Sequence, residues 1–334
     1  MIRRAWSALL CLVAGCADPP GVSLEEVKDF GSNPGELRML KYVAGSLADE
    51  SRIGAGSPDS GNDTSAARGL PLVVALHGCT QDAAELGEYG GWVRLAERWG
   101  FLLLLPEQRR GNNLTRCFNW YSAEDTRRDT GEALSIRQMI DRMRLDHAVD
   151  ARRVYVTGIS AGAAMTLALL AAYPELFAGG APLAGIPFGC AEGLFAALKC
   201  MVGPPDREAA LWGMEVRSAS SHGGPWPRLS VWQGAADSAV DPANATAIVS
   251  QWTDLHGIDR APREEVHPGG YAHARYQDSN GETLVESWRI EGMGHGVPVD
   301  PGPGEDQCGK TGRFFPDVDI CSSIEIARFW GLSP

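Results

Sequence analysis

The sequence predicts a doubly wound α/β fold in a single domain, built on a mostly parallel sheet. Residues 72–76 and 101–105 are short and wholly apolar, which is typical of parallel strands that helices cover on both faces. Segments of helical character, 92–99 and 130–145, alternate with them. A Gly-x-Ser-x-Gly pattern at 158–162 lies between a predicted strand and a predicted helix. We find no internal repeat and no linker to a second domain.

The first fifteen residues resemble an export signal. Arg3 and Arg4 precede an apolar run over residues 5–12 that is too short to span a bilayer. Small residues then lead to Cys16, as in bacterial lipoprotein signals, where the cysteine is acylated. A plain secretory signal is the alternative. We expect an exported protein, either membrane-anchored or extracellular, with a lipoprotein signal peptide over 1–15, a tether over 16–35 and one α/β domain over 36–334.

The chain is acidic, with a formal net charge of −12 over its 334 residues. Loss of the signal removes two arginines and no other charge, so the mature net charge is −14. A surface of this sign argues against nucleic acid as a partner and against the steering of anionic substrates. No later stretch is long and apolar enough to cross a membrane, so we expect membrane contact through the lipid anchor only.

Six cysteines remain after the signal and the lipid site, and an even number in an exported chain predicts three disulfides. Neither Cys-x-x-Cys nor His-Glu-x-x-His occurs, so we expect no metal and no cofactor. Of the fifteen possible connectivities, the simplest joins neighbours along the chain. Those pairs are Cys79 with Cys117, Cys190 with Cys200, and Cys308 with Cys321.

Other elements follow from local patterns. Residues 36–43 alternate as a half-buried strand does. The segment 49–69 is rich in Gly, Ser, Asp and Asn, which predicts a surface loop. Later strands are predicted over 229–232 and 284–288, and a last helix over 323–330.

The serine at the centre of the glycine pattern is the predicted nucleophile. A β-branched and aromatic run over 154–157 reaches Ser160, and an apolar helical stretch follows as far as Pro174. A strand, a sharp turn and a helix in this order indicate a nucleophile elbow. The free N–H groups at the start of the helix suit a developing oxyanion. The alternative is a packing turn with a solvated serine.

A second turn can supply the rest of the oxyanion hole. His77 and Gly78 follow the strand at 72–76, where a glycine-containing turn can aim backbone N–H groups at a tetrahedral intermediate. We predict the N–H groups of Cys79 and Ala161 as the two donors. We interpret His77 as structural.

The predicted acid and base follow two later strands. Asp237 lies on the loop after 229–232, at the carboxyl end where α/β sheets place their sites. Its rival Asp241 precedes a proline and fits the start of a helix better. His295, on a glycine-rich loop, is the predicted base, and the order serine, aspartate, histidine is that of α/β-hydrolases. The other histidines are interpreted as structural: His147, His222, His256, His267 and His273.

Five segments together resemble one family. They are Leu-His-Gly-Cys-Thr-Gln (76–81), Arg-Cys-Phe-Asn-Trp-Tyr (116–121), Gly-Ile-Ser-Ala-Gly-Ala-Ala-Met (158–165), Gly-Ala-Ala-Asp (234–237) and Gly-Met-Gly-His (292–295). They look like the polyhydroxybutyrate depolymerase-type esterases, a group similar to feruloyl and acetylxylan esterases. The resemblance spans about 37–330 and implies a secreted serine esterase of the α/β-hydrolase fold. It also implies a Ser160, Asp237 and His295 triad with Cys79 and Ala161 at the oxyanion hole.

Two positions depart from the pattern of that family. A histidine often stands where Gln233 does, and a tryptophan often stands near the catalytic histidine where Val297 does. The second change can alter the acyl pocket, so the substrate carries over less safely than the triad.

Aromatic residues near these motifs are candidate substrate contacts. Trp120, Tyr121 and Trp226 are expected at the site mouth, with packing as the alternative. The expected substrate is a small ester or an oligomeric polyester, foremost hydroxyalkanoate oligomers, with feruloyl or acetylxylan polysaccharide esters as the alternative. No polymer-binding module follows the last predicted helix, which favours soluble oligomers. A non-catalytic binding lipoprotein and a serine peptidase are the rival functions.

Overall fold

The computed structural model describes residues 23–47, 69–267 and 270–333. The predicted signal, Cys16 and nearly all of the predicted loop at 49–69 lie outside the described residues. The ten strands are β1 (Glu25–Val27), β2 (Arg38–Tyr42), β3 (Leu70–Leu76), β4 (Leu102–Glu107), β5 (Val149–Ile159), β6 (Gly179–Leu183), β7 (Arg228–Gly234), β8 (Arg263–His267), β9 (Tyr271–Gln277) and β10 (Thr283–Ile290).

Nine α-helices are described along the same residues. They are α1 (Ala83–Tyr89), α2 (Trp92–Trp99), α3 (Ala123–Thr126), α4 (Gly131–Asp146), α5 (Ala161–Ala172), α6 (Leu194–Val202), α7 (Ala209–Ser218), α8 (Ala243–His256) and α9 (Ser322–Phe329). Two short 3-10 helices cover Gly45–Leu47 and Pro174–Leu176. Among the residues described, no helix has the length and apolar character needed to cross a membrane.

All ten strands form one sheet in the order β1-β2-β4-β3-β5-β6-β7-β10-β9-β8. The six central strands, from β4 to β10, run parallel, and antiparallel pairs close both edges. The predicted mostly parallel, doubly wound sheet is therefore confirmed.

The register brings the carboxyl ends of the parallel strands to one edge. Leu76 of β3 is paired with Gly158 of β5, and Leu183 of β6 lies between Ile159 and Trp232 on its neighbours. At the far side, Gly234 of β7 pairs with Ile290 of β10. Loops that leave these strands therefore meet in one place, as is usual for sites in such sheets.

Helices cover both faces of the sheet and bury its alternating side chains. Leu72, Val74 and Leu76 belong to a core shared with α4, α5 and α8, whereas Val73 and Ala75 belong to a second core with α2 and α9. Every residue of α5 is buried. The helix that follows the predicted nucleophile is thus held in the middle of the domain.

The N-terminal region differs from the prediction in its boundary. The predicted tether, 16–35, includes β1, which pairs antiparallel with β2. Val27 and Phe30 are buried in the core shared with α4 and α5. The folded domain therefore begins before residue 36, because these apolar side chains are covered by the rest of the domain.

Strand β2 also differs, because it is buried on both faces rather than half-buried. Met39, Leu40 and Lys41 are all less than 9% exposed. The Lys41 ammonium is accommodated by carboxylates, with Nζ 3.2 Å from Glu25 Oε1 and 3.9 Å from Asp146 Oδ2. A buried charge needs such partners, and the alternating sequence pattern does not reveal them.

Three disulfides join neighbouring cysteines. They link Cys79 to Cys117, Cys190 to Cys200, and Cys308 to Cys321. The simplest of the fifteen connectivities is thus the one found.

Candidate active site

Ser160 occupies a sharp turn between β5 and α5. Its backbone has φ 57° and ψ −118°, a left-handed conformation that is uncommon for a residue with a side chain. The turn is fixed by hydrogen bonds on both sides, because Ser160 N donates to Leu183 O at 2.9 Å and Ala164 N donates to Ser160 O at 2.9 Å. A strained serine held this firmly is what an elbow requires.

The two glycines of the elbow allow backbone to lie against backbone. A Cβ atom on Gly162 would overlap the carbonyl oxygens of Leu76 and His77, and one on Gly158 would overlap the backbone of Gly162. The elbow is therefore packed directly on the turn that follows β3. This contact brings Ala161 and the turn containing Cys79 to the same place.

Asp237 and His295 form a direct contact. His295 Nδ1 lies 2.7 Å from Asp237 Oδ2, and the Asp237 side chain is fully buried whereas that of His295 is 16% exposed. Asp237 Oδ1 accepts hydrogen bonds from Ala239 N at 2.8 Å and Val240 N at 2.9 Å. Burial raises the pKa of Asp237, but the hydrogen bond and charge of His295 and these two N–H groups outweigh it, so the pKa is lowered.

Backbone hydrogen bonds join the two loops that carry this pair. Ala235 N donates to Ile290 O at 2.8 Å, and Ala236 N donates to Met293 O at 2.9 Å. A Cβ atom on Gly234 would overlap the carbonyl oxygens of Met293 and Gly294. The acid loop and the histidine loop are therefore positioned as one unit.

The rival carboxylate, Asp241, has a different role. Its Oδ1 accepts a hydrogen bond from Ala243 N at 2.8 Å, at the start of α8. Asp241 thus lies at the entry to a helix, as predicted from the proline that follows it. Asp237 is the carboxylate that contacts His295.

A second buried histidine–carboxylate pair lies elsewhere in the sheet. His273 Nε2 is 2.8 Å from Glu286 Oε2, and Ser230 Oγ donates to Glu286 Oε1 at 2.7 Å. These residues are in the middle of strands β9, β10 and β7, whereas Ser160, Asp237 and His295 follow the carboxyl ends of theirs. Their place within the sheet marks them as part of the structure that supports the site.

The turn after β3 presents the predicted oxyanion donor. Gln81 orders this turn, since its side-chain Oε1 accepts from Gly78 N at 2.8 Å. Among the residues that the structure describes, the N–H group of Cys79 has no hydrogen-bond acceptor. Ala161 is the first residue of α5, where backbone N–H groups lack partners within the helix. Both predicted donors are thus available to a ligand.

His77 supports this turn through hydrogen bonds of its ring. It is fully buried, its Nε2 accepts a hydrogen bond from Gln108 N at 3.1 Å, and its Nδ1 lies 2.8 Å from Gly78 O. The Gln108 N–H can only donate, so the partners assign the neutral Nδ1–H tautomer. Burial lowers the pKa of His77. With both ring nitrogens engaged, His77 is structural.

The buried carboxyl group of Glu132 extends this hydrogen-bond network. The sequence pattern did not identify Glu132 as a candidate site residue. Glu132 Oε2 accepts from Asn119 N at 2.9 Å, and Gln108 Nε2 donates to its Oε1. Burial, with a smaller contribution from the charge of Asp125, raises the pKa of Glu132 to about 8. An acidic residue in the first turn of a helix predicts a solvated position, and only the tertiary packing shows otherwise. Through Gln108 and His77, Glu132 connects the turn after β3 to the segment that carries Trp120.

Two of the three predicted substrate contacts border one cavity. This cavity, of about 640 Å³, is lined by Trp120 and Tyr121, by the segment 186–192 and by Ala164. The two aromatic rings are nearly perpendicular, with centroids 5.6 Å apart. Ala164 lies one helical turn after Ser160, whereas Ser160, Asp237 and His295 are not among the residues that line this cavity.

Trp226 lies at the other end of the sheet, and its prediction as a substrate contact is wrong. It precedes the amino end of β7, whereas Asp237 follows the carboxyl end of that strand. Seven residues of strand separate the two, roughly 20 Å. Trp226 instead packs on the core and on His222, with ring centroids 5.0 Å apart.

Three carboxylates approach one another outside the site. Oxygen atoms of Asp300, Asp317 and Asp319 lie within 4.8 Å of one another, and two of the three residues are exposed. They lie in the segment between the histidine loop and α9, and exposed acidic groups of this kind are common without an ion.

Comparisons with known proteins show that the chain is similar to esterases. The model of the family described as esterase PHB depolymerase matches residues 62–266. The chain is 45% identical to the poly(3-hydroxyalkanoate) depolymerase C of Paucimonas lemoignei, over 99% of this chain and 76% of that protein. It is 31% identical to the feruloyl esterase B of Talaromyces funiculosus, over 83% and 74% of the respective chains.

An acetylxylan esterase of Coprinopsis cinerea is 30% identical, over 84% of this chain and 70% of that protein. Among solved structures, an acetyl xylan esterase from Aspergillus awamori superposes with a TM-score of 0.74. The superposition covers 93% of this chain and 100% of that chain. At 24% sequence identity, the similarity shows the fold alone. The predicted α/β-hydrolase fold is confirmed.

The Cys79–Cys117 disulfide ties the oxyanion turn to the segment beside the cavity, so its removal should impair turnover. The bond closes a separation of 38 residues and contributes roughly 3–4 kcal/mol in the chain-entropy model. We predict that Cys79→Ala/Cys117→Ala, assayed well below its melting temperature, loses kcat more than it raises KM. One misplaced oxyanion donor costs roughly 10²–10³ in kcat, and the Thr80 N to Thr115 O hydrogen bond limits the loss.

The matched control is Cys308→Ala/Cys321→Ala, whose bond spans 13 residues next to α9. It should lower the melting temperature and leave kcat nearly unchanged. Equal behaviour of the two double variants, with stability alone affected, would disprove the link.

Glu132 should make the stability of the protein depend on pH. Its pKa is about 8 in the folded state, above the ordinary value of 4.5, so the folded state binds the extra proton between these values. The contribution of Glu132 to stability therefore falls as the pH rises from about 4.5 to 8 and is constant above. Glu132→Gln should remove this decline, worth at most about 5 kcal/mol. Chemical denaturation at pH 5, 7 and 9 measures it, and parallel curves for both proteins would contradict it.

Proposed function

Because this chain belongs to the esterase PHB depolymerase family and is a carboxylic ester hydrolase, we propose that it works through an acyl-enzyme on Ser160. His295 is the general base and Asp237 orients it. The N–H groups of Cys79 and Ala161 bind the oxyanion. The alternative of a non-catalytic binding lipoprotein does not account for the family or for a strained serine at the same sheet edge as a histidine–aspartate pair.

The proposed reaction has two halves. Ser160 Oγ bonds to the ester carbonyl carbon while His295 Nε2 takes the hydroxyl proton, and the carbonyl oxygen becomes an oxyanion. The bond to the alcohol oxygen then breaks, and His295 returns the proton to the departing alcohol. A water molecule repeats the attack with His295 as base, which releases the acid and regenerates Ser160.

The observation that carries this proposal is the 2.7 Å contact between His295 Nδ1 and Asp237 Oδ2. It directs the other ring nitrogen away from the carboxylate, as a general base requires. The contact lies at the sheet edge where the elbow also ends, since Leu183 of β6 is in register with both Ile159 and Trp232. The buried carboxylate stabilises the imidazolium that forms during attack.

We propose esters of hydroxyalkanoate oligomers as the substrate. Support comes from the 45% identity to a poly(3-hydroxyalkanoate) depolymerase over almost the whole chain. The cavity beside α5 combines apolar side chains such as Ile186 and Phe188 with polar ones such as Arg127 and Glu192, and this mixture suits an ester that carries both alkyl and oxygen-containing groups.

Feruloyl or acetylxylan esters are the second candidate. The perpendicular Trp120 and Tyr121 rings could pack on an aromatic acid, and feruloyl and acetylxylan esterases are 31% and 30% identical to this chain. A panel of 3-hydroxybutyrate oligomers, feruloyl, acetyl and butyryl esters, and a peptide separates these cases. Highest kcat/KM on the hydroxybutyrate oligomers supports the first proposal, and highest kcat/KM on feruloyl or acetyl esters replaces it. Preferential cleavage of the peptide would support the serine peptidase instead.

We also propose export and anchoring through Cys16. Three disulfides suit an oxidising compartment, and Cys16 follows a short apolar run in the sequence. The mature domain would then act outside the cytoplasm, attached by the lipid.

Replacement of the nucleophile should abolish turnover without unfolding the protein. Ser160→Ala should lose roughly 10⁴-fold or more in kcat, since members of a triad act as a unit. Ser323→Ala is the control, because Ser323 is a buried serine that donates to Gly90 O and lies outside the candidate triad. It should keep its kcat. Near-normal turnover by a folded Ser160→Ala protein would contradict the assignment of Ser160 as the nucleophile.

Anchoring predicts a change in fractionation. Cys16→Ser should release the protein from membranes into the soluble fraction, because it removes the acylated thiol. Cys11→Ser, within the predicted signal, is the control and should stay with the membranes. Unchanged membrane fractionation of Cys16→Ser would rule the anchor out.

A further inference from the structure

Gln233 contacts the proposed catalytic acid, Asp237, at the same carboxylate oxygen as His295. It belongs to β7 and is 4% exposed. Its Nε2 lies 3.1 Å from Asp237 Oδ2, and 3.3 Å from both Val240 O and Gly234 O. The side chain is absent from the walls of the cavity beside α5.

The orientation of this amide is fixed by its surroundings. All three groups near Nε2 are acceptors, so the NH₂ group must face them and Oε1 must point away. Among the described residues, Oε1 is buried and has no hydrogen-bond partner. A buried acceptor without a partner is costly, and such groups are found where function requires the arrangement.

The amide shares an oxygen atom with the histidine. Asp237 Oδ1 is held by two backbone N–H groups, whereas the donors to Oδ2 among the described residues are His295 Nδ1 and Gln233 Nε2. We propose that Gln233 is a positioning residue that holds Asp237 Oδ2 against His295 Nδ1 and limits the negative charge that the imidazole meets. The proposal rests on the triad of the proposed function. Gln233 acts through Asp237 and does not touch the substrate.

Other charged groups on the surrounding elements are engaged elsewhere. Asp241 accepts from the backbone at the start of α8, and Arg289 pairs with Glu291 at the surface of β10 at 3.0 Å. Arg313 lies over the ring of Phe314, which packs on His295. In the described part of the chain, none of these groups is hydrogen-bonded to Asp237 or His295. A change in the pH profile of the reaction after replacement of Gln233 can therefore be attributed to Gln233.

The test uses two replacements of similar length. Gln233→Met removes both donors, and kcat/KM should fall on the order of 10- to 100-fold with KM unchanged, as a hydrogen bond to a charged group is lost. The acid limb of kcat/KM against pH should move up by about one unit, because Oδ2 then bears more charge toward the imidazolium. The substrate is p-nitrophenyl butyrate.

Gln233→Glu keeps the shape and supplies a donor only while it is protonated. Beside Asp237 and buried, the new carboxyl should hold its proton to about pH 8. Its activity should therefore stay near that of the wild type below this pH and fall above it, which gives a descending limb that the wild type lacks. This variant also serves if Gln233→Met does not fold.

Gln251→Met is the control for loss of a buried amide. Gln251 is fully buried and donates to Phe188 O and Trp212 O, away from the triad. It should lose stability without moving the pH midpoint. The proposal is overturned if the Gln233 variants keep the wild-type profile, or if Gln251→Met shifts the midpoint equally. Failure of a fluorophosphonate to label Ser160 in the wild-type protein would instead refute the proposed function.

Discussion

The elbow half of the candidate site depends on one close contact of backbone with backbone. The elbow at Ser160 lies on the turn after β3 so closely that Gly162 has no room for a Cβ atom beside the Leu76 and His77 carbonyl oxygens. This packing sets the start of α5 next to the turn with Cys79. It also forces Ser160 into a left-handed conformation, which costs on the order of 1–3 kcal/mol and persists because α5 is buried along its whole length.

The second half of the site is built by the same means. The loops after β7 and β10 are joined by hydrogen bonds between backbone groups, and Gly234 permits their close approach. Asp237 therefore reaches its histidine with all four of its acceptor positions filled by fixed donors. A carboxylate held in this way can orient an imidazole without moving during the reaction. Such a preorganised site needs no rearrangement in the transition state.

Local sequence patterns predicted those helices, strands and turns whose residue types suit the structure that they form. The helix at 92–99 has the predicted bounds, and the elbow could be recognised because its glycines have a steric role. Strand β6 was not predicted, since its Gly-Gly-Ala-Pro-Leu sequence contains residues that favour turns. It forms a strand because small residues are needed there, where Gly180 packs against Leu170.

Burial and position along a strand could not be predicted. Glu132 and Lys41 have charged side chains that indicate solvent, yet tertiary partners bury them. Trp226 is aromatic and close in sequence to the acid loop, but a strand carries it to the far end of the sheet. The candidate acid and base, Asp237 and His295, could be selected because both follow the carboxyl end of a strand, where the direction of the chain fixes the edge of the sheet.

The most direct measurement is a crystal structure of the protein after reaction with an alkyl fluorophosphonate. A phosphonyl group bonded to Ser160 Oγ mimics the tetrahedral intermediate. Its negatively charged oxygen should lie about 2.7–3.1 Å from both Cys79 N and Ala161 N, and His295 Nε2 should face the serine oxygen. An adduct on another residue, or an oxygen that points away from the turn after β3, would contradict this account.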